Sequence, residues 1–184
     1  MTFSAVLSID GLLARSDFRS VERAFQLLVQ VSGRAGRADR PGRVVLQSYH
    51  PEHPVFHFAI GHDVKGFLDA EIEFRRGSGY PPFGRLAAVG IEGPEREAVE
   101  RDATWIAEEL SSEVRHANEA IDVLGPAPAV VERIDDRVRR RILLRAEKPR
   151  RMQAVIAAVL GHPPRLKAPN GSRVAVDVDP LALL

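Results

Sequence analysis

The chain has 184 residues, enough for one ordinary domain or two small ones, and 45% of them are apolar, so it can bury a core. Its formal net charge of +1 does not mark a nucleic-acid-binding protein, so such a site would have to come from local clusters of basic residues. The lack of cysteine excludes disulfides and cysteine zinc sites. No apolar run approaches the roughly 20 residues that span a bilayer, so we expect a cytoplasmic chain without a membrane partner.

The first part of the chain alternates short apolar runs with amphipathic segments, which is typical of an α/β fold. Residues 3–9 (FSAVLSI) predict a buried strand, and residues 43–48 (RVVLQS) predict a second one. Between them, Asp17 is a candidate cap for a helix whose apolar residues recur at steps of three and four. We expect this helix to end near Gly33 and another to begin at Asp63.

Glycine and proline are so frequent in residues 77–82 that neither a helix nor a strand is expected to continue across them. We therefore predict two domains, residues 1–78 and residues 79–184. In the second, the patterns predict strands at residues 85–91, 121–124, 137–146 and 173–178 and helices at residues 94–116 and 149–160. This order is the ferredoxin-like split βαβ arrangement, an α+β fold with two helices on an antiparallel sheet.

The sequence QVSGRAGR, residues 30–37, places two arginines on a glycine-rich turn after the first long helix. Planar guanidinium groups bind two phosphate oxygens at once, and Gly33 and Gly36 allow the backbone to turn sharply. The pattern therefore predicts a phosphate contact by Arg34 and Arg37. The alternative is an ordinary helix end in which Gly33 is left-handed and both arginine side chains are solvated.

A second basic cluster lies in residues 133–151. If residues 137–146 form a strand, one of its faces carries a ladder of arginines about 7 Å apart along the strand. This predicted DNA-binding ladder consists of Arg137, Arg139, Arg141 and Arg145. The alternatives are a solvated sheet face or one docked on an acidic surface. The acidic helix at residues 94–116, Asp102 included, is predicted to be a solvated face that repels DNA.

Four histidines within residues 50–62 raise the question of a metal site. Their spacing crosses two prolines and matches neither one helix face nor a known zinc pattern, so we expect no bound metal.

Six blocks of this sequence resemble, in order, the primosomal protein N-prime family of replication-restart DNA helicases. They are DFRSVERAFQLL, QVSGRAGR, YHPEHPV, YPPFGRLA, VLGPAPA and VDVDPLALL, and they extend from residue 17 to residue 184. QVSGRAGR is similar to motif VI of superfamily 2 helicases. The resemblance implies that residues 1–78 are the end of a RecA-like motor lobe 2 and that the rest is the family's carboxy-terminal domain.

The resemblance also implies roles for individual residues of QVSGRAGR. It makes Arg37 the arginine finger, Arg34 a second phosphate contact and Gln30 a polar partner in the nucleotide cleft, while Gly33 and Gly36 shape the loop. The implied function is ATP-dependent 3′-to-5′ DNA unwinding in replication restart. The implied partners are forked or single-stranded DNA, single-stranded DNA-binding protein and other primosome proteins.

The ATP site implied by the resemblance is incomplete in this sequence, which contains no GxxxxGK[ST] phosphate loop and no acidic motif to hold magnesium. The family's zinc-binding cysteines are expected upstream, so the chain resembles the carboxy-terminal third of such a helicase. ATP with magnesium would then be a cofactor of the longer protein only. We expect the isolated chain to be inactive; the alternative is a non-catalytic module that binds DNA or protein.

Overall fold

The computed structural model describes residues 3–15, 17–35, 42–161 and 168–180. The chain divides into two compact units, Met1–Phe74 and Arg75–Leu184. This division lies a few residues before the predicted boundary between residues 78 and 79, within a helix that reaches Ser78.

The first unit contains two short parallel strands and the helices that follow them. Its elements are β1 (Phe3–Val6), α1 (Asp10–Leu13), α2 (Ser20–Ala35), β2 (Arg43–Leu46), α3 (Pro54–Ile60) and α4 (Val64–Ser78). In the β1–β2 pair, Phe3 is opposite Arg43 and Val6 is opposite Leu46.

The core of the first unit forms where α2 meets α3 and α4. Phe25 of α2 stacks on Phe67 of α4 with ring centroids 3.9 Å apart. Phe58 meets the same Phe67 ring edge to face. Leu28 and Val55 are almost completely buried beside them. The stripe predicted for α2 is therefore its buried side.

Three predictions for the first unit were wrong in detail. The first strand ends at Val6, and it is not buried, because Phe3 is 55% exposed. Helix α2 continues past Gly33 to Ala35. Helix α3 was not predicted. Pro54 is its first residue, the one helical position that proline favours, because the backbone N–H lost there would have no helical partner.

The second unit is a four-stranded antiparallel sheet with two long helices. Its elements after α4 are β3 (Arg85–Gly93), α5 (Arg96–His116), β4 (Ile121–Ile134), β5 (Arg137–Ala146), α6 (Pro149–Leu160) and β6 (Arg173–Val178). The strand order is β4-β5-β3-β6, so β5 and β3 are central. All three strand pairs are antiparallel.

Helices α5 and α6 cover one face of this sheet. Every second residue of the central strands points to them, including Val89 and Ile91 of β3 and Ile142 and Leu144 of β5, all of them at most 1% exposed. The other face of the sheet carries the alternate residues of each strand. Period-two alternation in β5 and β6 thus separates a core face from an open face, as the sequence predicted.

The strand predicted at residues 121–124 is in fact 14 residues long. The GPAPA segment, residues 125–129, which the predicted strand left out, lies within it at an irregularity in its pairing with β5. β4 is an edge strand, where proline is tolerated because one side of the strand has no neighbour to accept a hydrogen bond. A tight turn at Asp135 and Asp136, both with positive φ, then joins β4 to β5.

None of the helices in the described residues is both long and apolar enough to span a bilayer.

Candidate functional site

The predicted nucleotide-contacting residues lie at the end of α2. Gln30, Gly33 and Arg34 are exposed, and their spacing of three and four residues places them on the same side of the helix. Gly33 is helical, so neither the expected turn nor a left-handed cap occurs at this position. Gly36 and Arg37 lie outside the described residues.

The DFR block fixes the start of α2, where the sequence had indicated Asp17 as a candidate cap. The Asp17 carboxylate is buried and accepts hydrogen bonds from the Arg19 backbone N–H at 3.0 Å and from the Arg23 guanidinium at 2.9 Å. Because the charge-assisted bond to Arg23 reaches into the helix, it links the preceding turn to the first turn of α2. Asp17 therefore orients the helix whose far end carries Arg34.

In the second unit, the open face of the sheet carries a group of arginines that we call the arginine face, Arg137, Arg139, Arg141 and Arg173. The first three were predicted, and Arg173 comes from β6, which pairs with the other side of β3. Arg173 was not predicted, although it alternates with the core residues Val174 and Val176. The strand order brings the four side chains together.

The floor of the arginine face consists of small residues. Ala88 and Gly90 of β3 and Ala175 of the edge strand β6 have neighbouring positions, and Gly90 lies opposite both Arg141 and Ala175. With Arg139, Arg141 and Arg173 they line a recess of about 320 Å³. Since these small side chains do not fill the recess, a ligand can approach the sheet backbone between the guanidinium groups.

A carboxylate, Glu92, lies among these arginines. Its position on β3 is directly opposite Arg139 on one side and Arg173 on the other. Its carboxylate oxygens lie 3.4 Å from a guanidinium nitrogen of Arg173, 3.5 Å from one of Arg137 and 4.0 Å from one of Arg139. Glu92 therefore neutralises part of the positive charge of the face.

Arg145, the fourth residue of the predicted ladder, lies apart from the arginine face and has local partners. Its guanidinium donates to the Asp122 carboxylate at 2.7 and 2.9 Å and to the Ser78 carbonyl, and it lies over the Tyr80 ring. These contacts tie the end of α4 to β5 and β4. The structure thus gives Arg145 a positioning role within the second unit.

Arg140 points to the opposite side of β5 and is 11% exposed. It donates to Glu132 at 2.7 Å and to Glu100 at 2.8 Å, and Arg96 also donates to Glu132 at 2.8 Å. The hydrogen bonds from Arg96 and Arg140 hold the pKa of Glu132 below its ordinary value. This network joins α5 to the β4–β5 hairpin, which carries Arg137, Arg139 and Arg141 of the arginine face.

Asp102 of α5 is completely buried, so its assignment to a solvated face was wrong. Its carboxylate accepts hydrogen bonds from the Asn170 backbone N–H at 2.8 Å, the Asn170 side chain at 2.9 Å and the Ser172 backbone N–H at 3.1 Å. Burial raises the pKa of Asp102, but the hydrogen bonds from Ser172 and Asn170 outweigh burial and lower it overall. Asp102 holds the segment that leads into β6 and thereby positions Arg173.

The histidines of residues 50–62 have separate surroundings. His53 is the cap of α3 and accepts a hydrogen bond from the Val55 backbone N–H at 3.2 Å. His50 lies 3.7 Å from Glu52. Among the described residues, no three histidine, aspartate or glutamate side chains are grouped closely enough to hold a metal ion.

The chain is similar to known proteins along its whole length. The family model described as primosomal protein N C-terminal domain matches residues 76–181. A relative from Synechocystis named replication restart protein PriA is 36% identical over 188 residues, which cover all of this chain and 21% of the relative. The protein of the same name from Bacillus subtilis is 33% identical, with 100% of this chain and 22% of the relative covered.

A third relative with that name, from Treponema pallidum, is 36% identical over 95% of this chain and 26% of its own length. The chain therefore spans about a fifth to a quarter of the length of these curated relatives. Since the family model covers more than half of the chain and includes every strand of the second unit, the chain belongs to the primosomal protein N C-terminal domain family.

Proposed function

We propose that this chain is a portion of an ATP-dependent 3′-to-5′ superfamily 2 DNA helicase that acts in replication restart. The observation that carries the proposal is the similarity, along the whole of this chain, to part of several proteins named replication restart protein PriA. In this proposal the first unit is the end of a RecA-like lobe. The second unit is a ferredoxin-like terminal domain, an assignment supported by its β4-β5-β3-β6 antiparallel order.

The end of α2 supports a role in contacting the nucleotide. Arg34 and Gln30 are exposed on one side of the helix, so the phosphate of a nucleotide that is held by another polypeptide segment or lobe can reach them. Arginine suits this task because its guanidinium stays charged and binds two oxygens in one plane. In the proposal Arg37 neutralises charge that develops during phosphoryl transfer, Arg34 contacts a second phosphate oxygen, and Gln30 is their polar neighbour.

ATP with magnesium is the cofactor that this proposal requires. Arg34 fits a phosphate contact, whereas a phosphate loop and a magnesium-holding acidic motif are absent from the sequence. When bound, ATP supplies the transferable phosphoryl group. The residues of this chain supply positive charge at the phosphates. The end of α2 holds that charge in a fixed position.

We expect no DNA-stimulated ATP hydrolysis from the isolated chain, because its arginines have no bound nucleotide to act on. Joining the chain to the part of the Synechocystis relative outside the match should create ATPase activity. The measurement is phosphate release with and without single-stranded DNA. The fused protein with Arg37→Ala is the control. Hydrolysis by the isolated chain, or an inactive but folded fusion, would contradict the proposal.

A second candidate function, a DNA-binding module, is favoured by the arginine face. Arg139, Arg141 and Arg173 line a recess with a small-residue floor on the face that the helices leave uncovered. Guanidinium groups spaced along neighbouring strands match a phosphate backbone, and binding of this kind does not require aromatic stacking. We propose forked or single-stranded DNA as the ligand; single-stranded DNA-binding protein and other primosome proteins are proposed as further partners.

The double variant Arg139→Ala with Arg141→Ala should weaken binding of the chain to single-stranded DNA. Each lost phosphate contact should reduce the slope of log affinity against log salt by about 0.7. Fluorescence anisotropy with a labelled oligothymidylate across a salt titration measures both effects. Arg101→Ala with Arg115→Ala is the matched control, since it removes the same charge from exposed positions of α5. Equal slopes for the two double variants would exclude the arginine face.

A further inference from the structure

The surroundings of Glu92 differ from those of a typical surface carboxylate. Its oxygens lie within 4.0 Å of guanidinium nitrogens from three arginines on two strands, Arg137, Arg139 and Arg173. Its side chain is only 28% exposed. The position is fixed by register, because the Cα partners of Glu92 on both sides are arginines.

A carboxylate and a phosphate present the same kind of acceptor to a guanidinium group, namely oxygens that share a negative charge. Glu92 therefore occupies the place that a phosphate of a bound strand would take. The buried Nε atom of Arg137 has no hydrogen-bond partner within the described residues, although it lies 3.5 Å from Glu92. Arg137 Nε is thus held near the Glu92 carboxylate but makes no hydrogen bond to it.

We propose that Glu92 is an internal competitor for the arginine face and sets how tightly, and with what salt dependence, that face binds the phosphate backbone of single-stranded DNA. The inference rests on the proposed DNA binding of the second unit. A bound phosphate must displace the Glu92 carboxylate from the arginines before it can use their donors. An arginine that stays paired with Glu92 neutralises no DNA phosphate and releases none of the cations condensed on the DNA, so the affinity depends less on salt.

The charge of the face supports this view. Among the described residues, the carboxylates that line the recess are Glu92 and Asp177, and Asp177 lies opposite Ala88, four residues from Glu92 along β3. Within the described residues Asp177 has no ion pair, whereas Glu92 has three. Removing either carboxylate changes the net charge of the face equally, but only the removal of Glu92 releases arginine side chains.

The experiment compares Glu92→Gln with Asp177→Asn in the full chain, using anisotropy of labelled oligothymidylate over a range of salt concentrations. We expect Glu92→Gln to bind about fivefold more tightly at low salt, since one repulsive charge near the phosphates is removed. Its salt slope should become steeper by about 0.7, because one further arginine neutralises a DNA phosphate and releases the cation condensed there. Asp177→Asn should leave the slope unchanged.

Equal or weaker binding by Glu92→Gln, with the wild-type chain still binding DNA, overturns the role of Glu92 and leaves the proposed DNA binding intact. An equal change in salt slope for Asp177→Asn also overturns the role of Glu92, because the change would then follow from net charge and not from the release of arginine side chains. If neither the wild-type chain nor Glu92→Gln binds DNA, the proposed DNA binding itself fails. Thermal unfolding checks the fold of each variant, and Glu92→Ser, which also frees the arginines, must reproduce the result.

Discussion

Arg37→Ala is expected to lower DNA-stimulated ATP hydrolysis about 10³-fold in a protein that carries this chain together with a complete motor. A positioned arginine is worth on the order of 10³ to 10⁵ in phosphoryl transfer, because it neutralises charge that develops on the oxygens of the transferred group. The effect should fall on kcat more than on nucleotide affinity, since the contact strengthens in the transition state. Phosphate release at saturating ATP and DNA measures it.

The structure supplies a matched set of controls for this experiment. Arg34→Ala removes the second proposed phosphate contact from the exposed end of α2 and should cause a smaller loss than Arg37→Ala. Arg101→Ala removes an exposed arginine from α5, where it lies 3.7 Å from Glu97, and should leave hydrolysis unchanged. If Arg37→Ala retained more than about a tenth of the activity, the arginine-finger role would be wrong.

Asp102→Ala is expected to destabilise the second unit by about 3 kcal/mol, the largest effect on stability that we predict. The substitution leaves two backbone N–H groups without their acceptor, that of the buried Ser172 and that of Asn170, which is exposed at the surface. Each such unsatisfied donor costs about 1–3 kcal/mol. For a unit of this size the melting temperature should fall by roughly 15 °C. Calorimetry of the full chain measures the change, and Glu109→Ala, on the exposed side of α5, is the control.

The contribution of Asp102 should also depend on pH. Its pKa in the folded chain is lower than the ordinary value of 3.8, so the folded state binds the proton less readily than the unfolded state. The stabilisation is therefore fully present well above pH 3.8 and is lost as the pH falls through the lower, folded pKa. Asp102→Asn removes this ionisation, so its stability difference from the wild type should shrink on acidification below pH 4.

Urea unfolding at a series of pH values tests this prediction. A difference between wild type and Asp102→Asn that stayed constant down to the lowest pH at which both fold would show that ionised Asp102 adds no stability. Because Asp102 holds the segment before β6, the same variant should also weaken DNA binding through Arg173 if the proposed arginine face is correct.

Local sequence patterns were sufficient for the elements that bury a regular stripe. The helix predicted at residues 149–160 occurs as α6, and the strand predicted at residues 137–146 occurs as β5. Both elements follow from the periodicity of the apolar residues alone. These residues must face the core at every second position of a strand and at every third to fourth position of a helix. The six sequence blocks, QVSGRAGR among them, likewise indicated the family, because short motifs in a fixed order do not depend on the packing around them.

Proline-rich segments were predicted less well, because the effect of proline depends on its place in the fold. Pro54 begins a helix instead of interrupting one, and the prolines of GPAPA lie in an edge strand. Neither position can be recognised from neighbouring residues. Whether a strand is at an edge is decided only when the whole sheet is assembled.

The sequence by itself determined the family, the alternation of core and open faces, and the arginines available to the second unit. Only the tertiary structure decided which charges meet. Register across β3 places Glu92 between Arg139 and Arg173, and Asp102 meets Asn170 from a distant part of the chain. Such pairs depend on contacts between residues far apart in sequence, and a local pattern carries no information about which distant backbone will approach.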